Sequence, residues 1–211
     1  MEVFEVMGVS LRVSLAATAL ATAVSVPLGF IIAAYEFRGK RTVVGVFNTL
    51  MALPTVVVGL LVYILLSRSG PFGFLGILYT PAAIVVGQFI LAVPIITALT
   101  YAAAGSVDAR VRKTAESLGA SPSQAGWMVL KEARLGIMAA VIAGFGRVIA
   151  EVGSAVMVGG NIRGYTRTMT TTIALETSKG NFALGITLGL ILLVAALSIN
   201  LAVGTFLGRK A

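Results

Sequence analysis

Apolar residues fill five long stretches of the chain, and polar residues are largely confined to the connections between them. A helix that crosses a bilayer needs about 20 mostly apolar residues. The segments that reach this length are 10–35, 43–66, 81–104, 136–158 and 182–207. The pattern therefore predicts an all-α polytopic membrane protein with five transmembrane helices. Two connections, 105–135 and 159–181, are long enough to carry structure of their own.

The composition favours lipid as the environment of this chain. Of the 211 residues, 58% are hydrophobic and only 11% are charged, whereas a soluble domain has about 25% charged residues. The mean hydropathy is +1.00. We therefore expect residues 1–211 to form one transmembrane domain in the cell membrane. The sequence contains no cysteine and no histidine, so disulfides are excluded and no metal site is predicted.

The basic residues predict the direction of the spans, because cytoplasmic connections are enriched in lysine and arginine. Ten basic residues lie on one side of the predicted spans and four on the other. The larger group is Arg38, Lys40, Arg41, Arg110, Arg112, Lys113, Lys131, Arg134, Arg209 and Lys210; the smaller is Arg68, Arg163, Arg167 and Lys179. We expect the larger group to be cytoplasmic, with the N-terminus outside and the C-terminus inside. This distribution also accounts for the net charge of +8, so nucleic-acid binding is not expected.

The connection 105–135 contains the signals of two short helices joined by a turn. Residues 110–118 form a basic and polar helical run that ends at Gly119, which can adopt the left-handed conformation of a helix end. Ser121 can cap the next helix, with Pro122 at its first position and Gln124 completing a capping box. We expect a compact knob, with Ala115 and Leu118 on one face of the first helix. The alternative is a solvated basic loop near anionic headgroups.

Arg147 and Glu151 are an ionisable pair deep inside a predicted span. They are four residues apart, so they share a face of a continuous helix. A single charge at the centre of a bilayer costs about 2.5–3.5 kcal/mol on insertion scales, so we expect the two to pair. They could line an anion path, or they could be a structural pair that joins helices. We expect Glu151 to be structural, or to restrain Arg147, because a carboxylate repels an anion.

The connection 159–181 is rich in groups that donate hydrogen bonds. It contains Arg163, Arg167 and the hydroxyls of Thr166, Thr168, Thr170, Thr171 and Thr172. Such groups can bind an oxyanion or a docking protein. The alternative is a solvated outer loop with a short surface helix.

The sequence contains no motif for nucleotide binding and no set of residues for catalysis. The phosphate-binding pattern G-x-x-x-x-G-K-[ST] does not occur, and neither paired carboxylates nor a Ser-His-Asp set can be assembled. We therefore do not expect the chain to be an enzyme.

Residues 113–121 read Lys-Thr-Ala-Glu-Ser-Leu-Gly-Ala-Ser. They resemble the cytoplasmic coupling loop of ABC-transporter permeases, which carries a pattern like E-A-A-x-x-x-G-A-S. The second alanine and the G-A-S match, whereas Lys113 and Thr114 replace the leading Glu and the first Ala.

A more specific resemblance covers the second half of the chain. Residues 146–185 resemble tungstate and molybdate permeases, and the Gly-Gly-Asn-Ile turn at 159–162 is shared by both types. The threonine-rich run 166–180 and the segment 129–147 are closer to the tungstate type. Altogether the resemblance extends over essentially the whole chain.

The resemblance implies the permease subunit of an ATP-driven importer of an oxyanion, with tungstate ahead of molybdate. It implies a homodimer around a central path, a dimer of cytoplasmic ABC ATPases that binds ATP and Mg²⁺, and an extracytoplasmic substrate-binding protein. This chain would then be non-catalytic and would bind no cofactor. The residues implied in ATPase coupling are Ala115, Glu116, Ser117, Leu118, Gly119, Ala120 and Ser121. Those implied in docking of the binding protein or in anion entry are Asn161, Arg163, Thr166, Arg167 and Thr168.

Three alternatives remain open from the sequence. The same machine could import molybdate, sulfate or phosphate. A secondary transporter driven by an ion gradient would need intramembrane carboxylates, for which Glu151 is the candidate. The chain could also be a purely structural membrane scaffold, but that function would not explain the two-helix connection.

Overall fold

The computed structural model describes the backbone of residues 2–208 and the side chains of residues 3–199 and 201. Within this part the chain is all-α, as predicted, with no β-strand. The α-helices are α1 Glu2–Ala34, α2 Lys40–Leu50, α3 Thr55–Leu66, α4 Pro81–Gly105, α5 Ala109–Ser117, α6 Pro122–Glu132, α7 Arg134–Ile149, α8 Gly153–Gly159, α9 Met169–Ser178 and α10 Phe182–Gly208. A short 3-10 helix lies at Gly73–Leu75. Arg209 and Lys210 of the basic group predicted to be cytoplasmic lie outside the described residues.

Three helices, α1, α4 and α10, are each long and apolar enough to cross a membrane without interruption. The second and fourth predicted spans are each divided into two helices, α2 with α3 and α7 with α8. If each divided pair forms one span, the described part of the chain has up to five spans. The predicted spans 43–66 and 136–158 are therefore not single continuous helices, and the number of five spans stays a prediction.

Each interruption has a local cause. Pro54 directly precedes α3 with an extended backbone, φ −65° and ψ 121°, and proline has no N–H to continue the preceding helix. The other break lies at residues 150–152, where the carboxylate of Glu151 accepts a hydrogen bond from the main-chain N–H of Ser154 at 2.9 Å. That bond satisfies one of the free N–H groups at the start of α8.

The described chain separates into two compact units. The first contains the described parts of Met1–Leu20, Leu53–Ala92 and Phe145–Ala211, and the second contains Ala21–Ala52 and Val93–Gly144. The expectation of one domain over 1–211 stays a prediction.

In the first unit, α3 and α8 pack through glycine. A Cβ atom added at Gly59 of α3 would lie 2.8 Å from the Cα of Ser154, and one added at Gly153 of α8 would lie 2.9 Å from Thr55 Oγ1 and Val56 Cγ2. Real Cβ atoms do not approach other atoms so closely. Glycine at both positions therefore lets the two backbones approach more closely than side chains would allow.

In the second unit, a small apolar core surrounds the ends of the connection 105–135. Ala104, Ala133 and Ile137 are buried, and Phe30 and Leu130 pack against them. This core fixes α6 and the start of α7 against the last turns of α4 and of α1. The two-helix connection therefore has a packed base.

Candidate functional site

The first helix of the predicted knob, α5, begins with a side-chain cap that the sequence analysis missed. Asp108 Oδ1 accepts a hydrogen bond of 2.8 Å from the main-chain N–H of Arg110, and Asp108 Oδ2 lies 2.6 Å from Arg110 Nη2. Hydrogen bonds from the Arg110 side chain and main chain hold the pKa of Asp108 below its usual value. The signal was an aspartate directly before a helical run, which is a common N-cap.

The end of α5 has the geometry predicted for Gly119. Its φ is +87°, the left-handed region that favours glycine. The N–H of Gly119 donates to the carbonyl of Glu116 at 3.0 Å, and the N–H of Ala120 donates to the carbonyl of Ala115 at 3.0 Å. These two bonds form a Schellman motif, which satisfies the last carbonyls of the helix. The predicted helix end is confirmed.

The start of α6 is also as predicted. The N–H of Ser121 donates to Gln124 Oε1 at 2.8 Å, and the N–H of Gln124 donates to Ser121 Oγ at 3.4 Å. Pro122 occupies the first position of the helix. The complete capping box and the Schellman motif together order the turn between α5 and α6.

The seven residues assigned to coupling lie together at this turn, but they differ in exposure. Ala115 is 3% exposed and Leu118 is 82% exposed. The N–H of Leu118 still donates to the carbonyl of Thr114 at 3.1 Å, and the expectation that these two residues share one face stays a prediction that their different exposure does not favour. Trp127 on α6, which is 61% exposed, was not singled out from the sequence. Leu118 and Trp127 give the second unit exposed apolar side chains on α5 and α6.

Arg112 attaches α5 to the end of α1 within the second unit. Its Nε lies 3.0 Å from Glu116 Oε1, and its Nη1 donates to the main-chain carbonyl of Ala34 at 3.3 Å. Ala34 is the last residue of α1, where carbonyls lack helical partners and the helix dipole favours a cation. A displacement of α5 would therefore strain its bond to α1.

The predicted pair of Arg147 and Glu151 is confirmed, with 3.2 Å between Arg147 Nη1 and Glu151 Oε2. The Glu151 side chain is 2% exposed, whereas that of Arg147 is 36% exposed. Because Glu151 Oε1 accepts from the N–H of Ser154, both carboxylate oxygens have partners. Glu151 does not continue α7 but lies in the break before α8. This arrangement favours the structural reading of Glu151 and leaves Arg147 as the more accessible charge.

Five threonines of the segment 159–181 are buried, although their hydroxyls were predicted to be available to an anion or a docking protein; they are Thr166, Thr168, Thr170, Thr171 and Thr172. Thr166 Oγ1 donates to the carbonyl of Gly159 at 2.5 Å and accepts from the N–H of Ile162 at 2.9 Å. Thr168 caps α9 in a box with Thr171. Both hydroxyls therefore stabilise the segment itself. A role for Thr166 and Thr168 in docking or anion entry stays a prediction that their burial does not favour.

Asn161 is the centre of a small polar cluster in the same segment. It has a positive φ of 50°, a conformation that asparagine tolerates better than most residues. Its Oδ1 accepts from Arg167 Nε at 3.2 Å and from Thr171 Oγ1 at 2.9 Å. Arg167 is half-buried by this arrangement, and Arg163 is exposed. Of the five residues assigned to docking or entry, Arg163 is thus the most accessible.

Among the residues that the structure describes, no three His, Cys, Asp or Glu side chains are grouped so that they could hold a metal ion. In the described part of the chain, the acidic side chains with bonded partners contact cations, backbone N–H groups or, at Glu176, the amide of Asn181. No residue set is therefore assigned to a resident metal.

Comparison with known proteins gives concordant matches. The sequence pattern of the family described as "binding-protein-dependent transport system inner membrane component" matches residues 25–209. A probable anion ABC transporter permease of Haloferax volcanii is 43% identical over 200 residues, which cover 92% of this chain and 86% of the relative. The tungstate uptake system permease TupB of Peptoclostridium acidaminophilum is 40% identical over 199 residues, which cover 94% of this chain and 87% of the relative. TupB of Campylobacter jejuni is 42% identical over 166 residues, which cover 79% of this chain and 70% of the relative.

Proposed function

The chain belongs to the family of binding-protein-dependent transport system inner membrane components, and from this premise we propose that it is the permease subunit of an ATP-driven importer of tungstate. It is a multi-pass protein of the plasma membrane. The observation that carries the substrate is the likeness, over most of the chain, to two tungstate uptake permeases. Molybdate shares the charge and tetrahedral shape of tungstate and is the nearest competitor.

The two-helix connection is the proposed docking site for a separate ATPase, which would bind ATP and Mg²⁺ while this chain binds no cofactor. A docking element must transmit force, so it must be ordered. The Schellman motif at Gly119 and the capping box at Ser121 order the turn, and the packed core beneath α6 supports it. Leu118 and Trp127 supply the apolar contact surface that a partner would cover.

We further propose that the side bearing this connection is cytoplasmic, with the N-terminus outside and the C-terminus inside. Two copies of the chain would pair around a central path, which an extracytoplasmic binding protein would supply with anion. ATP binding would close the two ATPases, draw the connections together and open the path outward.

Of the residues assigned to docking of the binding protein, Arg163 is the one that its exposure favours. Arg147, the more accessible member of the intramembrane pair, would attract a passing dianion.

The test is uptake by the purified complex, with its ATPase and binding protein, reconstituted in sealed vesicles. We expect ATP-dependent uptake of tungstate that molybdate suppresses and that equal concentrations of sulfate or phosphate leave largely unchanged. Preferred uptake of phosphate or of an organic solute would contradict the substrate. Uptake that requires an ion gradient and no ATP would contradict the proposal that the importer is driven by ATP.

A further inference from the structure

A cavity of about 280 Å³ lies in the first unit, where α1 and α10 begin beside the segment 159–181. One part of its wall is aliphatic and consists of Val3 and Val6 of α1 and Leu184 and Leu188 of α10. Leu184 and Leu188 are four residues apart, so they stand on one face of α10. The aliphatic wall thus comes from two of the helices that are apolar enough to cross a membrane.

The other part of the wall is cationic. It contains Arg163, Arg167 and Lys179, together with one carboxylate, Glu176. Glu176 Oε1 lies 2.8 Å from Lys179 Nζ, and this hydrogen bond holds the pKa of Glu176 below its usual value. At neutral pH the carboxylate is therefore ionised, and among the described residues of the wall three cations stand against one anion, which gives this lining a net positive charge. A bound anion is favoured there.

The cationic wall is partly preorganised. Arg167 Nε lies 3.2 Å from Asn161 Oδ1, and its Nη2 lies 3.3 Å from the Asn161 carbonyl oxygen. These bonds restrain the guanidinium before a ligand arrives, which reduces the entropy lost on binding. The side chain of Lys179 is 56% exposed, so it has room to adjust to the position of an anion.

The surface of α10 next to the cavity is apolar and exposed. On α10, from Ile186 between the two cavity leucines onward, the apolar side chains of Ile186, Leu190, Leu193, Val194 and Leu197 are between 58% and 68% exposed. Such a surface is stable only in contact with lipid or with another apolar partner. The cavity therefore lies where a lipid-facing helix meets a cationic polar segment, which is the level of the headgroups.

We propose that this cavity binds an anionic phospholipid. Its phosphate would be held by Arg163, Arg167 and Lys179, and the start of an acyl chain would lie along Leu184. Arginine pairs with phosphate through two parallel N–H bonds, and basic pockets between membrane helices bind acidic lipid headgroups. A free oxyanion would satisfy the cations but would leave the aliphatic wall without a partner. The mixed lining therefore favours a lipid over the transported anion.

The test is native mass spectrometry of the purified transporter after exposure to mixed vesicles of phosphatidylglycerol and phosphatidylcholine. We expect wild type to retain phosphatidylglycerol selectively. The double variant Arg163→Gln with Lys179→Gln should lose retained phosphatidylglycerol about ten-fold or more. The control is Arg68→Gln, because Arg68 is an exposed cation that does not line the cavity, and it should retain as much lipid as wild type.

Equal retention of the two lipids, or unchanged retention in the double variant, would overturn the proposal. Displacement of all bound lipid by added tungstate would also overturn it, since the site would then be one for the free oxyanion. A second measurement needs no variant: phosphatidylglycerol with a photoreactive group near the start of an acyl chain should crosslink to residues 184–188 of wild type. Crosslinks confined to other segments would contradict the site. Neither readout depends on transport, so the lipid site and the proposed substrate can fail separately.

Discussion

Thr170 donates a hydrogen bond of 2.7 Å from its hydroxyl to the main-chain carbonyl of Glu151. The bond joins α9 to the break between α7 and α8. Met169, the first residue of α9, donates its N–H to Ser10 Oγ of α1 at 2.8 Å. The start of α9 is therefore bonded to Ser10 of α1 and to Glu151 in the break before α8, and both residues lie in the first unit.

The first prediction concerns this bond. Thr170→Val keeps the shape of the side chain but leaves the buried Glu151 carbonyl without its donor, which costs about 1–3 kcal/mol. Thermal stability of the purified protein should fall, and uptake with it. Thr187→Val is the control, because Thr187 is exposed and its hydroxyl bonds only to the carbonyl one turn earlier, at Ala183. Equal stability of the two variants would show that the Thr170 bond does not hold the break.

The second prediction concerns the turn at Gly119. No atom lies within 4 Å of a Cβ built there, so the cost of a substitution is conformational and not steric. Gly119→Val should destabilise the left-handed conformation by about 1–2 kcal/mol and reduce co-purification of the ATPase and uptake. Gly119→Asn should retain both, because asparagine tolerates this conformation. Equal effects of valine and asparagine would argue against a requirement for the left-handed turn.

The third prediction distinguishes an exposed residue of the connection 105–135, which would contact the ATPase, from a buried residue that stabilises the connection. Leu118→Asp should weaken ATPase binding while stability changes by no more than about 0.5 kcal/mol, as is usual for an exposed position. Ala115→Leu should reduce stability first, because a larger side chain is forced into a buried site. ATPase binding is measured by co-purification and stability by thermal unfolding. Undiminished binding in Leu118→Asp would remove this leucine from the docking surface.

The fourth prediction is a double-mutant cycle on Arg147 and Glu151. Glu151→Gln can still accept from the N–H of Ser154 but no longer neutralises Arg147. We expect a loss of stability and uptake that Arg147→Gln partly restores, with a coupling of about 0.5–3 kcal/mol. Strictly additive losses would show that the two charges act independently.

The fifth prediction is the orientation. The natural sequence has no cysteine, so single cysteines report without interference. A cysteine at position 2 should react with a membrane-impermeant maleimide in intact cells, and one at position 120 should react only after the membrane is opened. Reaction at position 120 in intact cells would reverse the proposed topology.

The caps of α5 and α6 could be predicted from the sequence because they are local. Gly119, Ser121 and Gln124 interact within a few residues, and their bonds depend little on distant parts of the chain. The pair of Arg147 and Glu151 was predictable for a related reason, since an unpaired charge is costly in lipid.

The breaks at residues 51–54 and 150–152 could not be located in this way. Apolar residues lie on both sides of each break, and proline alone does not decide, because Pro27 and Pro94 lie inside α1 and α4 whereas Pro54 precedes α3. The burial of Thr166, Thr168 and Thr170 was missed because hydroxyl-rich segments are usually exposed. Here their hydroxyls bond main-chain groups of a segment that is folded without long helices.

The glycine contact between α3 and α8 constrains how this sequence can vary. Gly59 faces the backbone of Ser154, and Gly153 faces Thr55 and Val56, so the two glycines do not face each other. A larger residue at one position cannot be accommodated by a smaller one at the other, since both are already the smallest residue. Either substitution must push the helices apart along their shared length. We therefore expect functional variants to keep both glycines, even where neighbouring apolar positions exchange freely.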